Sequence, residues 1–348
     1  MYKPVFFPEG FDLNAKKAEI VAPAGNLASL KAAIESGADV VYTGLSGSTN
    51  ARNFEGLNFT DQELRQGIRF AREKGKKVYI AVNTFAQGSS MPVWKDAVDR
   101  AVALKADAVI LAELGLLDYA RRKYPDINIH LSVQASASNY ESINFYKRRF
   151  AIRRVVLPRV HTIEEIRAIK AKTDVELEVF LLGGLCINIE GRCFLSSYVT
   201  GASTNSEGAC SPSRFVRFNN TPDGRMTITL NNVLLNDLSK DESSPYPTCC
   251  KGRYIMPDGK KFYAIEDPES LNALPVLPEL LDAGVAALKI EGRQRTKAYA
   301  AEVTRVVREA VDAYYLSGSG FAIKDAWIGR TNAMFEGSGH TVNCYKGK

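Results

Sequence analysis

Histidine is scarce in this 348-residue chain, which has three, and tryptophan scarcer still, with two. The sequence holds no HExxH pair and no G-x-S-x-G turn, so the signatures of a zinc protease and of a serine hydrolase are both missing. No apolar run approaches the roughly eighteen residues of a membrane span. Neither sign of charge dominates: 45 basic against 39 acidic residues leave +6, and basic clusters stay as short as KRR at 147–149. That excess permits a nucleic-acid partner but does not argue for one. The opening MYKPVFFPEGFDLNAKK has prolines and acidic residues where a secretory signal needs a basic start and an unbroken apolar stretch, so the expected compartment is the cytoplasm. Thiols stay reduced there, and six cysteines point to metal ligands, catalytic groups or buried apolar residues before disulfides.

What is present is a rhythm. Short β-branched runs alternate with helical patterns: AEIVAP, ADVVYTG, KVYIAVN, ADAVILAE, INIHLSVQ, RRVVLPR and VELEVFLLGG make seven strands by residue 184. An eighth, VAALKIEG at 285–292, follows about a hundred residues later and leads into a long helix over about 295–316. Near-continuous apolar strands with intervening helices imply a parallel sheet covered on both faces. Eight such units predict a (β/α)8 TIM-like barrel, with a doubly wound open sheet as the alternative. The expected layout is an N-terminal extension (1–17), seven β/α units (18–184), a cysteine-bearing insertion (185–284), a closing strand and helix (285–316) and a tail (317–348). Within the insertion, RMTITLNNVLL and KFYAIED predict short extra strands.

Function in such barrels sits at the C-terminal ends of the strands. Those ends carry Asn83, Gln134 with Ser136, Arg159, Cys186, and Glu291 with Arg293. Cys186, Cys193 and Cys210 open the insertion, and the tandem Cys249-Cys250 follows in PTCCKGRY. Structural zinc favours close cysteine pairs and histidine, which this region does not offer. Widely spaced thiolates amid glycines suit an iron–sulfur cluster, with Arg192 and Arg214 placed to offset thiolate charge. From spacing alone, scattered buried thiols and zinc remain alternatives.

The runs LEVFLLGGLCINIEGRCFLSSYVTG, EGACSPSRF, YPTCCKGRY and LKIEGRQR resemble the collagenase-like peptidase family, and within it the UbiU-like branch of ubiquinone biosynthesis. The similarity extends through IVAPAGNLASLKAAIESGADVVYTGL, TNARNFEGLNFT, VNTFA, SVQASASN and VVLPRV, covering about 18–335. The resemblance implies a [4Fe–4S] cluster on Cys186, Cys193, Cys210 and Cys250. It implies a heterodimer with a UbiV-like cluster protein and oxygen-independent hydroxylation of a ubiquinone precursor, with or without a lipid-carrier protein, with prephenate as hydroxyl donor. The family pattern has an apolar residue before the fourth ligand, whereas Cys249 stands there in this chain. Adjacent side chains in an extended segment point opposite ways, so Cys249 is expected to pack, and Cys344 to be a free thiol. Other members hydroxylate RNA bases, others carry the peptidase label, and a cluster that only braces the insertion is the non-catalytic reading.

Asn83, Gln134, Ser136, Arg159, Glu291 and Arg293 are the substrate-binding candidates. Arginine at a strand end suits a carboxylate such as those of prephenate, against the plainer reading of an ion pair with Glu113, Glu190 or Glu291. His130 is expected in the core and His161 in solvent near a helix start. Lys289 and Glu291, two apart on one strand, are expected to face the same side.

Overall fold

The computed structural model describes residues 17–189 and 192–347. The extension before Lys17, and Glu190 with Gly191, lie outside the described residues. Seven strands appear in order: β1 Glu19–Pro23, β2 Val40–Gly44, β3 Lys77–Val82, β4 Ala108–Leu111, β5 Ile129–Leu131, β6 Arg154–Val156 and β7 Glu176–Gly184. The insertion adds β8 Val216–Asn220, β9 Met226–Leu230, β10 Val233–Leu238, β11 Arg253–Ile255, β12 Lys261–Tyr263 and β13 Glu269–Asn272. Then come β14 Ala287–Ile290 and, in the tail, β15 Gly339–Thr341. Strands β1 to β7 pair in parallel with their sequence neighbours, and β14 closes the ring by pairing in parallel with both β7 and β1. The fold is therefore a closed (β/α)8 barrel. Two-sided closure by β14 rules out the open sheet, which would leave β1 and β7 as edges.

Six helices separate the first seven strands: α1 Leu27–Glu35, α2 Asp61–Glu73, α3 Met91–Ala103, α4 Leu114–Lys123, α5 Tyr140–Phe150 and α6 Ile163–Lys170. Their starts follow from the sequence. Asn26 accepts from the Ser29 amide, and Thr60 with Glu63 and Thr162 with Glu165 form reciprocal capping boxes. The insertion holds α7 Phe194–Thr200, α8 Thr204–Glu207 and α9 Leu277–Asp282, while α10 Lys297–Ser317 and α11 Asp325–Asn332 follow β14.

Alternation along the strands divides the core in two. Ile20, Val41, Ile80, Val109 and Leu131 face outward against the helices, whereas Val21, Tyr42, Tyr79, Ala81 and Ile110 pack inside the barrel. Toward the strand starts the interior is charged. Arg154, 2% exposed, donates to Glu19 at 2.7 Å, Glu176 at 2.5 Å and Glu178 at 3.3 Å, while Lys77 meets Glu19 at 2.6 Å and Lys289 meets Glu178 at 2.7 Å. Three cations thus match three carboxylates across the barrel floor. His130 lies among them, buried as expected, its ring edge-on to Tyr79 at 4.6 Å, and burial keeps its imidazole well below the usual range.

Within the insertion β8, β9 and β10 form an antiparallel sheet, with Asn231 and Asn232 supplying positive φ for the tight turn between β9 and β10. β11 and β12 form a separate hairpin. The insertion's own buried apolar cluster is small: Leu230, Leu235 and Cys249. β13 returns to run antiparallel to the last residues of β7, and β15 pairs in parallel with β13. Beyond it the Tyr345 hydroxyl donates to the Phe180 carbonyl at 2.6 Å, and Asn343 donates to the Arg159 carbonyl at 3.3 Å. The tail therefore wraps onto the mouth. Beside it His161 is buried, not solvated: the tail's Asn343 bonds to the same loop at Arg159, and burial lowers the His161 pKa.

Candidate functional site

β7 delivers its chain to the mouth through Gly183, whose φ of +145° and whose closeness to Glu291 leave no space for a side chain; a Cβ there would lie 2.5 Å from that of Glu291. Cys186 follows two residues after the strand. Cys193 immediately precedes α7, and Cys210 comes after α8. Gly208, at φ +84°, sets the last of these: a Cβ would strike the Asn50 carbonyl at 2.1 Å, so the Cys210 segment docks against the loop after β2 only because this residue is glycine. Cys250 stands in a single helical turn, 249–251.

These four thiols, Cys186, Cys193, Cys210 and Cys250, line one cavity of about 140 Å³ at the mouth. That is roughly ten times the room a single water needs, enough for a multi-atom group. None of the six cysteines is in a disulfide. Among the described residues no three His, Cys, Asp or Glu converge closely enough to hold one metal ion. Four thiols spread around one cavity are the donor set that a multinuclear cluster, with one thiolate per metal atom, would take. The Asn188 amide lies 3.6 Å from the Cys193 sulfur, and the Thr248 hydroxyl 3.3 Å from that of Cys250. Burial pushes the Cys210 thiol up to about 12, nearby Arg52 opposes this, and the other three cysteines raise it further. The group is thus close enough to repel when ionised, a cost that a bound cationic centre would remove.

Cys249 points away, into the cluster with Leu230 and Leu235, and burial raises its thiol to about 11. The tandem cysteines face different ways because they sit in a helical turn; the extended segment expected from sequence is not what separates them. Cys249→Ala should keep the full iron content at a cost of about 1 kcal/mol from lost packing. Cys250→Ala should lose the iron, and a chain behaving the other way round would transfer the ligand role. Cys344 lies in the tail, away from the cavity lining.

Beneath the thiols, Glu291 accepts from both Arg52 and Arg159. Burial alone would raise this carboxyl, but Arg159 and Arg52 outweigh it and hold it at about 2. Glu291, Arg159 and Gln134 line both the cysteine cavity and a second one inside the barrel. Arg159 thus has the ion-pair partner the plainer sequence reading offered, while Glu113 caps α4. Asn83 borders the inner cavity but is held by the Ala51 amide and the Ser132 hydroxyl. Ser136, in the left-handed region at φ +52°, lies off both cavities. Arg293 lines the inner cavity alone, and Lys289 faces it beside Glu291 but pairs with Glu178. Arg192 stacks on Phe85 and Arg214 pairs with Glu207.

Sequence reasoning missed Arg52 and Tyr246. Arg52 lies eight residues past Gly44, and Tyr246 lies deep in the insertion; both reach the cysteine cavity by folding of long loops. The only local signal was the TNARNF segment after the second strand.

A 32% identical relative, tRNA hydroxylation protein P1 of Bacillus subtilis, aligns over 90% of this chain and 67% of its own length. The uncharacterized protease MJ0090 of Methanocaldococcus jannaschii is 34% identical over 86% of this chain and 66% of its length. tRNA hydroxylation protein P of Haemophilus influenzae is 32% identical over 85% and 68%. The chain spans about two thirds of the length of each. The model of peptidase family U32 matches residues 25–346, and the chain belongs to that family.

Proposed function

We propose that this chain is a [4Fe–4S] protein of oxygen-independent aromatic ring hydroxylation in ubiquinone biosynthesis, working with a UbiV-like partner and with prephenate as hydroxyl donor. The observation that carries the reading is the convergence of Cys186, Cys193, Cys210 and Cys250 on one cavity at the barrel mouth, directly above the Arg52–Glu291–Arg159 ion pairs. A cluster held there would supply one-electron redox chemistry. Hydroxylation is also the activity in the names of two of the relatives above.

Those names favour a second reading, hydroxylation of an RNA base. Against it stands the surface beside the cysteines, which is apolar where RNA would ask for a basic one: Ile187, Ile189, Phe194 and Tyr198 are exposed, Tyr198 at 92%. Such a patch suits a protein partner or a prenylated ring. The test is anaerobic purification with iron and sulfide analysis, joined to complementation of anaerobic cells lacking ring hydroxylation. About four irons and restored ubiquinone are expected. Stoichiometric zinc, or restored tRNA hydroxylation without ubiquinone, would sink the proposal.

The partner complex should bury at least the roughly 1,200 Å² of a specific interface. Placing aspartate at both Phe194 and Tyr198 should weaken it more than tenfold in co-purification while leaving iron content intact, since neither side chain is a thiol ligand. An unchanged complex would move the interface elsewhere.

A further inference from the structure

Inside the barrel, below the ion pairs of Glu291, lies a cavity of about 60 Å³ bordered by Tyr42, Asn83, Ser132, Phe180, Lys289 and Arg293. Its cations differ in how they are satisfied. Lys289 belongs to the floor network through Glu178, and both Arg52 and Arg159 are held by Glu291. Arg293 is the exception. It is 3% exposed, it donates to Asn50 Oδ1 at 2.5 Å, and its Nε and Nη1 find no acceptor among the described residues. A buried guanidinium with no carboxylate beside it and donors left over favours an anionic ligand.

The surroundings are shaped around this group. β2 ends in Gly44, where a Cβ would come 2.6 Å from Arg293 Nη1, so the strand leaves space for the guanidinium. Tyr42 and Phe180 contribute aromatic walls, each with a cation over one face, Lys289 at 3.7 Å and Arg159 at 3.6 Å, and Gln134, on the boundary of the two cavities, keeps a buried Oε1 with no donor among the described residues. A planar fork of donors suits a carboxylate, and flat apolar walls suit a carbon skeleton over inorganic phosphate.

We infer that the inner cavity binds a small organic carboxylate and that Arg293, not Arg159, is the guanidinium that holds it. Arg159 positions Glu291 instead, at the boundary between this compartment and the cysteines. Identifying the ligand with prephenate rests on the ring-hydroxylation reading above; the existence of the site does not.

The test is calorimetric titration of the anaerobically purified full chain with prephenate, malate and inorganic phosphate. At least one carboxylate should bind, and phosphate should bind at least tenfold more weakly. R293Q should lose binding by tenfold or more, and R293K, which keeps the charge but not the fork, by about threefold or more. If R293Q fails to fold, R293K alone carries the comparison, with iron content confirming its integrity. No carboxylate binding, equal affinity for phosphate, or an Arg293 variant that binds like the parent overturns the assignment. A chain that binds carboxylate through Arg293 yet never restores ring hydroxylation leaves the site standing and removes the reading of its function.

Discussion

Replacing any one of Cys186, Cys193, Cys210 or Cys250 by alanine is expected to take the chain from about four irons to near none and to abolish ring hydroxylation in complemented cells. The effect is all-or-none because each iron of a cubane depends on its own thiolate. A second consequence follows from where the four thiols lie: a cluster bound to them would tie together separate segments of the insertion. The four variants should therefore become sensitive to limited proteolysis within 185–250 while the barrel resists. A variant that retains the absorbance near 400 nm, or an insertion that stays protected without iron, would contradict this.

Arg154→Ala is expected to destabilise the chain by about 3–5 kcal/mol, the largest effect on stability of any single change considered. Its guanidinium meets three carboxylates at the barrel floor, and removing it leaves Glu178, 1% exposed, with Lys289 alone. Denaturant unfolding of the iron-loaded protein is the measurement, and a loss below about 1 kcal/mol would show the network to be redundant. The same network sets an acid limit. Burial would raise the Glu19 carboxyl, yet its partners Lys77 and Arg154 bring it from 4.5 to about 2. As pH falls the unfolded chain takes up this proton first. The stabilisation is complete above about pH 4.5 and disappears between there and pH 2. In Arg154→Ala that acid loss should be smaller, because one source of the depression is gone.

The barrel was legible because strands buried on both faces leave continuous apolar runs, and eight of them count a closed ring. The insertion was only partly legible. RMTITLNNVLL announced β9 and β10 and KFYAIED announced β12, but β11 went unread, and β8, VRFNN, is a largely exposed strand with no apolar alternation to reveal it. The thiols illustrate the limit at the site. Spacing left zinc and buried cysteine open, and it was the family resemblance that chose Cys250 over Cys249; in the structure Cys250 lines the cavity and Cys249 does not. Arg293 and Arg159 read alike as arginines at strand ends; what distinguishes them is Glu291, whose reach toward Arg159 is a matter of three-dimensional geometry. His161 misled because a helix start was read as solvated, and nothing local announces that this residue is buried or that its loop is joined to the distant tail.

The hundred or so residues between Gly184 and Ala287 also impose a schedule. A ribosome adding about five to twenty residues per second takes roughly five to twenty seconds to cross that gap. For that interval β1 and β7 are open edges of an incomplete ring, the condition that invites wrong pairing. All four thiols are already synthesised before the ring can shut. Cluster delivery during translation would thus meet a flexible, accessible insertion on an unclosed scaffold, and slowing synthesis across 185–286 should favour iron loading only if delivery, not closure, is the slower event.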